Sequence, residues 1–154
     1  MSEETKAYIA GFLDGDGCLM AQLVRREGYK FGYQIRLSIV FYQHIRNIRH
    51  LEWLKSILKK GYIRERNDQM AEYTIVGIRD VTLVVSKLLP YLHLKRQQAK
   101  NLLRFVKMPK KPTKIQFINY CRLVDKTAEY NFSKKRKIFT QQVKQYLTNN
   151  NLSS

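Results

Sequence analysis

The sequence predicts an α+β fold in which a four-stranded antiparallel sheet is covered by helices on one face and open on the other. Three observations predict it. Residues 33–42 alternate almost strictly, with Tyr33, Ile35, Leu37, Ile39 and Phe41 on one side and Gln34, Arg36, Ser38, Val40 and Tyr42 on the other, the period of a half-buried strand. Helical and extended periodicities succeed one another as helix, two strands, helix, two strands and further helices. Finally, no linker and no close repeat divides the 154 residues, so the chain reads as one domain over 1–154 with room for a real core.

Taken in order, residues 4–13 read as a short helix that stops at the run Asp14-Gly15-Asp16-Gly17. Residues 19–26 read as a strand, followed after a loop containing Gly28 by the strand at 33–42. Over 45–59 the spacing of Ile48, Leu51, Leu54 and Leu58 is helical, and Gly61 ends that helix. Residues 62–66 and 72–76 make a hairpin around Asn67-Asp68. An apolar segment at 81–89 ends before Pro90, and a helix is expected over 95–107. Pro109 and Pro112 interrupt a very basic loop. A helix over 115–130 and a last one over 140–147 complete the chain, with a polar tail at about 149–154.

Charge narrows the function. Lys and Arg number 29 against 12 Asp and Glu, a formal net charge of +17. A compact fold so charged repels itself, and the usual compensator is a polyanion, most often nucleic acid. No apolar run approaches the roughly 20 residues of a membrane span, and the acidic start MSEETKAYIAGF does not read as a signal peptide. Cys18 and Cys121 are far apart and read as reduced thiols of an intracellular protein; His44, His50 and His93 show no zinc spacing.

If the apolar side of each strand packs on helices, the other face carries Gln22 and Arg26, then Gln34, Arg36, Ser38 and Val40, then Arg64 and Arg66, then Glu72 and Thr74, with Tyr29, Tyr33 and Tyr42 nearby. A merely solvated face tends to mix Lys and Glu; this one is rich in Arg and Gln. Arg pairs bidentately with guanine and Gln with adenine in the major groove, which admits a β-ribbon. The basic runs at 107–114 and 134–137 (Lys134, Lys135, Arg136, Lys137) read as phosphate contacts.

The chemistry is carried by Ile9-Ala10-Gly11-Phe12-Leu13-Asp14-Gly15-Asp16-Gly17. Ala7, Gly11 and Gly15 stand four apart on one helix face, where small residues let two backbones approach closely. The helix ends in carboxylates, which the macrodipole disfavours there, so a cation is expected to compensate. A calcium loop is excluded: the twelfth position from Asp14 is Arg25 rather than a bidentate Glu.

This segment resembles the LAGLIDADG motif, and the order of elements is similar to the αββαββα core of that homing-endonuclease family, followed by C-terminal helices. The similarity covers about 6–147 and is strongest to compact algal-chloroplast-type enzymes with one motif per chain. It is supported by Tyr29-Lys30-Phe31, Gly61-Tyr62-Ile63-Arg64, Pro90-Tyr91-Leu92-His93-Leu94-Lys95 and Ser133-Lys134-Lys135-Arg136-Lys137. The resemblance implies a motif helix over about 4–14 and a saddle-shaped antiparallel sheet facing DNA. It implies a site-specific double-stranded DNA endonuclease, acting as a homodimer with a second identical chain on a long pseudo-palindromic site and making staggered, metal-dependent cuts. Asp16 binds the metal with the Gly15 carbonyl beside it; Gln43 and Lys95 organise water around the scissile phosphates; Ala7, Gly11, Asp14 and Gly15 form the dimer interface, with Asp14 a cap or buttress. Where the family has a basic residue a few positions beyond Gln43, Asn47 stands here, flanked by Arg46 and Arg49.

Oxygen ligands favour Mg²⁺, with Mn²⁺ as a substitute and Ca²⁺ expected to bind without supporting cleavage. A catalytically silent relative, acting as an intron RNA maturase or DNA-binding regulator, is the alternative, and a ribosomal-type RNA-binding protein a more distant one. Both leave the acidic motif without a purpose. Abundant Lys, Asn, Ile and Tyr suit an AT-rich organellar intron.

Overall fold

The first helix begins where the sequence places a capping signal. In the computed structural model, which describes residues 1–131 and 135–152, α1 spans Glu3–Asp16. The Ser2 hydroxyl accepts from the Thr5 N–H at 3.1 Å, and Glu3 and Glu4 sit at the positive end of the helix dipole. The helix buries Ile9, Ala10 and Leu13 completely, and Phe12 stacks on Phe41 at 5.7 Å. It continues three residues past its expected end, through both aspartates and Gly15, before Gly17 turns into extended backbone.

Four strands follow the expected pairing: β1 Gly17–Arg25, β2 Tyr33–His44, β3 Tyr62–Glu65 and β4 Met70–Val76, in the order β1-β2-β4-β3, all antiparallel. The alternation seen in the sequence sets the faces. Leu19, Ala21 and Leu23, then Ile35, Leu37, Ile39 and Phe41, then Ala71, Tyr73 and Ile75 are buried on one side. A one-residue slip would turn every one of them to the other face, so this register is strongly specified.

Helices α1, α2 (Ile48–Leu58), α3 (Ile78–Leu88) and α5 (Lys114–Ala128) pack on that side of the sheet. A short 3₁₀ turn, Ile45–Asn47, leads from β2 into α2. Helix α4 is shorter than expected, Arg96–Leu103, and its last turn tightens into the 3₁₀ segment Arg104–Lys107. Helix α5 opens with a reciprocal box in which the Thr113 hydroxyl accepts from the Gln116 N–H and the Gln116 carbonyl from the Thr113 N–H. Helix α6, Thr140–Asn149, takes in the first residue of the expected polar tail.

Helix α2 ends one step earlier than expected. Lys59 caps it in the left-handed conformation, its N–H donating to the Lys55 carbonyl at 2.8 Å. Gly61 follows at φ +76°, where the chain enters β3 against β4 so closely that a Cβ would collide with the Thr74 carbonyl oxygen. Beside it, the Tyr73 hydroxyl donates to the Lys60 carbonyl at 2.6 Å, and burial pushes the phenol up to about 12. Gly61→Ala combines a positive φ with a backbone clash and is expected to cost about 2 kcal/mol or more, read as a lower urea midpoint. An unchanged midpoint would mean that β3 does not enter the sheet this way.

Candidate active site

The open face of the sheet is a grid set by register. Across the strands run Cys18, Val40, Thr74 and Tyr62; then Met20, Ser38 and Val76; then Gln22 beside Arg36, and Val24 beside Gln34. Beyond Val40, Tyr42 stands beside Glu72, and Arg64 stands on the far side of Glu72. Gln22, Arg26 and Tyr29 are exposed, Gln34 and Arg36 half-buried, and the Arg26 Nε donates to the Gln34 carbonyl at 3.2 Å. Ser38, Val40 and Thr74 have the expected parity but are only 1%, 4% and 5% exposed, so they form a floor beneath the longer residues around them. Sequence reasoning passed over Cys18, Met20 and Val24, whose even parity in β1 was the available signal.

Tyr33 does not join this face. It lies on the helix side, its ring edge-on to Tyr146 at 5.7 Å with the Arg25 guanidinium over it. The odd parity that places Ile35 and Leu37 in the core places Tyr33 with them.

The hairpin charges are organised among themselves. Glu72, with a side chain 13% exposed, holds Arg64 at 2.6 Å and Arg66 at 3.7 Å, and Asp68 holds Arg66 at 2.7 Å. Glu72 is therefore engaged with two arginines rather than free to accept from a base, and the arginines are held in a fixed direction at little further entropic cost.

The basic run after α5 divides. Lys134 lies outside the described residues, and Lys135 and Lys137 are exposed. Arg136 is not a free phosphate contact. Its Nη2 lies 2.7 Å from Asp125 Oδ1, its guanidinium sits 4.6 Å from the Phe139 ring centre, and Asp125 Oδ2 accepts from the Thr140 N–H at 3.1 Å. The Arg136–Asp125 contact is ionic and lacks an aligned hydrogen bond. Its position makes Arg136 an anchor between α5 and the start of α6.

At the end of α1 the two aspartates divide their work. The Asp14 carboxylate accepts backbone N–H groups from His93 at 2.8 Å, Leu94 at 3.3 Å and Lys95 at 3.0 Å. These N–H groups lie at the N-terminal end of α4, where the dipole favours an anion. In return Lys95 Nζ donates to the Asp14 carbonyl at 2.7 Å. The Asp14 carbonyl is one of the last four of α1, which lack helical partners, and Lys95 gives it a cationic donor. Asp16, the last helical residue, stays exposed beside exposed Gly15. Burial raises the Cys18 thiol pKa, and the Lys95 charge opposes that rise.

An exposed carboxylate and an adjacent carbonyl are hard oxygen donors of the kind Mg²⁺ takes. Among the described residues no group of three or more His, Cys, Asp or Glu comes together to hold a metal ion. Ala7, Gly11 and Gly15 form an exposed stripe on α1, and a Cβ added at Gly11 or Gly15 would meet nothing within 4 Å. Sequence reasoning missed large exposed apolar residues close by: Tyr8 on α1, Trp53 at 5.7 Å from its ring, and Leu94 beside Asp14. Gln43 lies at the end of β2, its carbonyl accepting from the His44 N–H at 3.0 Å and the Asn47 Nδ2 at 3.2 Å.

Asp14→Ala removes the acceptor of all three N–H groups and is expected to cost about 1–3 kcal/mol. In hydrogen exchange the amides of His93, Leu94 and Lys95 should lose protection. Unchanged exchange at all three would remove the clamp.

The geometry agrees with the comparisons to known proteins. The family model for LAGLIDADG endonucleases matches residues 9–110. The chain is 39% identical over 142 residues to DNA endonuclease I-CvuI of Chlorella vulgaris, covering 92% of this chain and 88% of that protein. It is 32% identical over 148 residues to DNA endonuclease I-CreI of Chlamydomonas reinhardtii, covering 95% and 90%. The crystal structure of the homing endonuclease I-CvuI in complex with its target, in the presence of Ca, superposes with a TM-score of 0.93 at 36% identity, covering 98% of this chain and 97% of that one. With the motif, the sheet and the sequence in agreement over nearly its whole length, the chain belongs to the LAGLIDADG endonuclease family.

Proposed function

We propose that this chain is a homing endonuclease that cuts double-stranded DNA at a long pseudo-palindromic site, working as a homodimer with Mg²⁺. The observation that carries the reading is the exposed Asp16 carboxylate. It stands at the unfavourable end of a helix dipole, next to the open stripe of Ala7, Gly11 and Gly15, on a protein of net charge +17. Packing two α1 helices through that stripe would bring two Asp16 side chains together at the dyad.

The residues then take distinct parts. Gln22, Arg26, Gln34 and Arg36, with Arg64 and Arg66 held by Glu72, face the base edges over the floor of Ser38, Val40 and Thr74. Tyr29, Lys135 and Lys137 meet the backbone, and phosphate contacts set register rather than sequence. Asp16 and the Gly15 carbonyl would hold Mg²⁺, which when bound makes water a stronger nucleophile and stabilises the leaving oxygen. Lys95, fixed by Asp14, keeps its ammonium at the same end of α1, and Gln43 orders the water and phosphate oxygens there. Mn²⁺ suits the same donors, and Ca²⁺ fills them without supporting the reaction. Among the described residues no helix is long and apolar enough to cross a membrane. An organellar intron suits the composition and the algal sources of the relatives.

Asp16→Asn is expected to lower the cleavage rate roughly a thousandfold or more while DNA affinity holds or rises, because a negative charge leaves the phosphates. Full cleavage by this variant would remove Asp16 from the chemistry. Gly11→Leu pushes the helices apart and is expected to sediment as a monomer at concentrations where the parent is a dimer; a dimeric variant would remove this interface.

A further inference from the structure

Asn47 holds the first position before α2, where Asn is among the best helix caps, yet its side chain makes no capping hydrogen bond. The side chain turns to Gln43 instead, its Nδ2 donating to the Gln43 carbonyl oxygen at 3.2 Å. The His44 N–H donates to the same oxygen at 3.0 Å. A carbonyl oxygen has two lone pairs, so both are used. Turning the Gln43 amide over would set its N–H groups against two donors, so the orientation is fixed from two sides. The Gln43 Nε2 makes no hydrogen bond among the described residues. Gln43 is one of five residues, with Arg46, Asn47, Arg49 and His50, that line a shallow concavity of about 370 Å³. The His50 Nε2 is already within 3.3 Å of the Tyr8 hydroxyl. Arg46 and Arg49 are exposed beside the concavity, so the polar donors left at this border are their guanidinium groups and the unpaired Gln43 amide edge, a set that suits an anionic oxygen acceptor.

We propose that Asn47 is a positioning residue that holds Gln43 with its N–H edge toward the scissile phosphate, so that Gln43 orders the phosphate and water oxygens there as a donor and does not accept a proton from the attacking water. The inference rests on the nuclease reading above. It gives Asn47 a purpose of its own where the family has a basic residue, because any side chain that donates at this point fixes the same edge. Asp at 47 would do the reverse: its carboxylate would draw the Gln43 Nε2 toward itself and turn the carbonyl to the phosphate.

The test combines the free protein with single-turnover cleavage of its selected site. In side-chain amide spectra of the wild type, the Gln43 Nε2 protons should exchange like solvated ones while an Asn47 Nδ2 proton is protected. In Asn47→Asp the Gln43 protons should become hydrogen-bonded. The reverse pattern in the wild type overturns the proposal whether or not the protein cuts DNA, so its failure is distinct from failure of the nuclease reading. In cleavage, Asn47→Asp is expected to slow the chemical step roughly a hundredfold, well beyond the loss of DNA affinity that its added charge causes, and Asn47→Arg to keep most of the wild-type rate. Asn47→Ala should leave the unfolding midpoint nearly unchanged, since no cap is lost. In a Gln43→Ala background the change from Asn47 to Asp should cost little more. An equal loss in that background, or parallel losses of binding and rate, would show that Asn47 does not act through Gln43.

Discussion

The contact on which the site depends is the exchange between Asp14 and the segment 93–95. One carboxylate receives three backbone N–H groups, and Lys95 returns a donor to the Asp14 carbonyl. Each half solves the other's problem. The C-terminal end of α1 has carbonyls without helical partners, and the N-terminal end of α4 has N–H groups without them. Joining the ends with a carboxylate and an ammonium satisfies part of both and fixes the two elements that carry Asp16 and Lys95. A site built this way sits on helix ends held by backbone contacts, the kind of support that keeps reacting groups within the narrow tolerance chemistry needs.

The sheet shows a similar economy. Its centre is buried on both sides: Leu37, Ile39 and Phe41 under the helices, Ser38, Val40 and Thr74 on the open face. The longer polar residues stand around that floor. Their charges are not simply added up: Glu72 is kept amid arginines in a protein of net charge +17, at a cost to general attraction for phosphate. What it gives in exchange is direction, since an arginine held by a carboxylate presents its remaining donors at a fixed angle.

Local pattern made most of this legible in the sequence. The alternation in β2 set the faces of all four strands, because antiparallel pairing propagates parity from one strand to the next. Two of the misreadings share a cause: contacts between distant residues leave no local pattern. The helix breaker expected at 14–17 is overridden by 93–95, far along the chain. Arg136 reads as one more cation in a basic run because its partner Asp125 lies on another element. Tyr33 was legible, since its odd parity already placed it on the helix side. The burial of Ser38 and Thr74 was not, because parity gives a face and not the height of the neighbours. The catalytic assignments came from resemblance to the motif; composition and spacing gave only an acidic helix end on a basic protein.

Together these features are one exposed Asp16, a stripe of small residues beside it and an open polar sheet face on a strongly basic protein, and in the proposed function they form one half of a two-fold site. The most direct measurement is to incubate the purified protein with a palindrome-biased random DNA library, with Mg²⁺ and with EDTA, and to sequence the cut ends. Staggered cuts at one pseudo-palindromic site, present with Mg²⁺ and absent with EDTA, are what two Asp16 residues at a dyad predict. Selective binding without cuts, or cuts that persist in EDTA, would contradict a metal-dependent site shared between two chains.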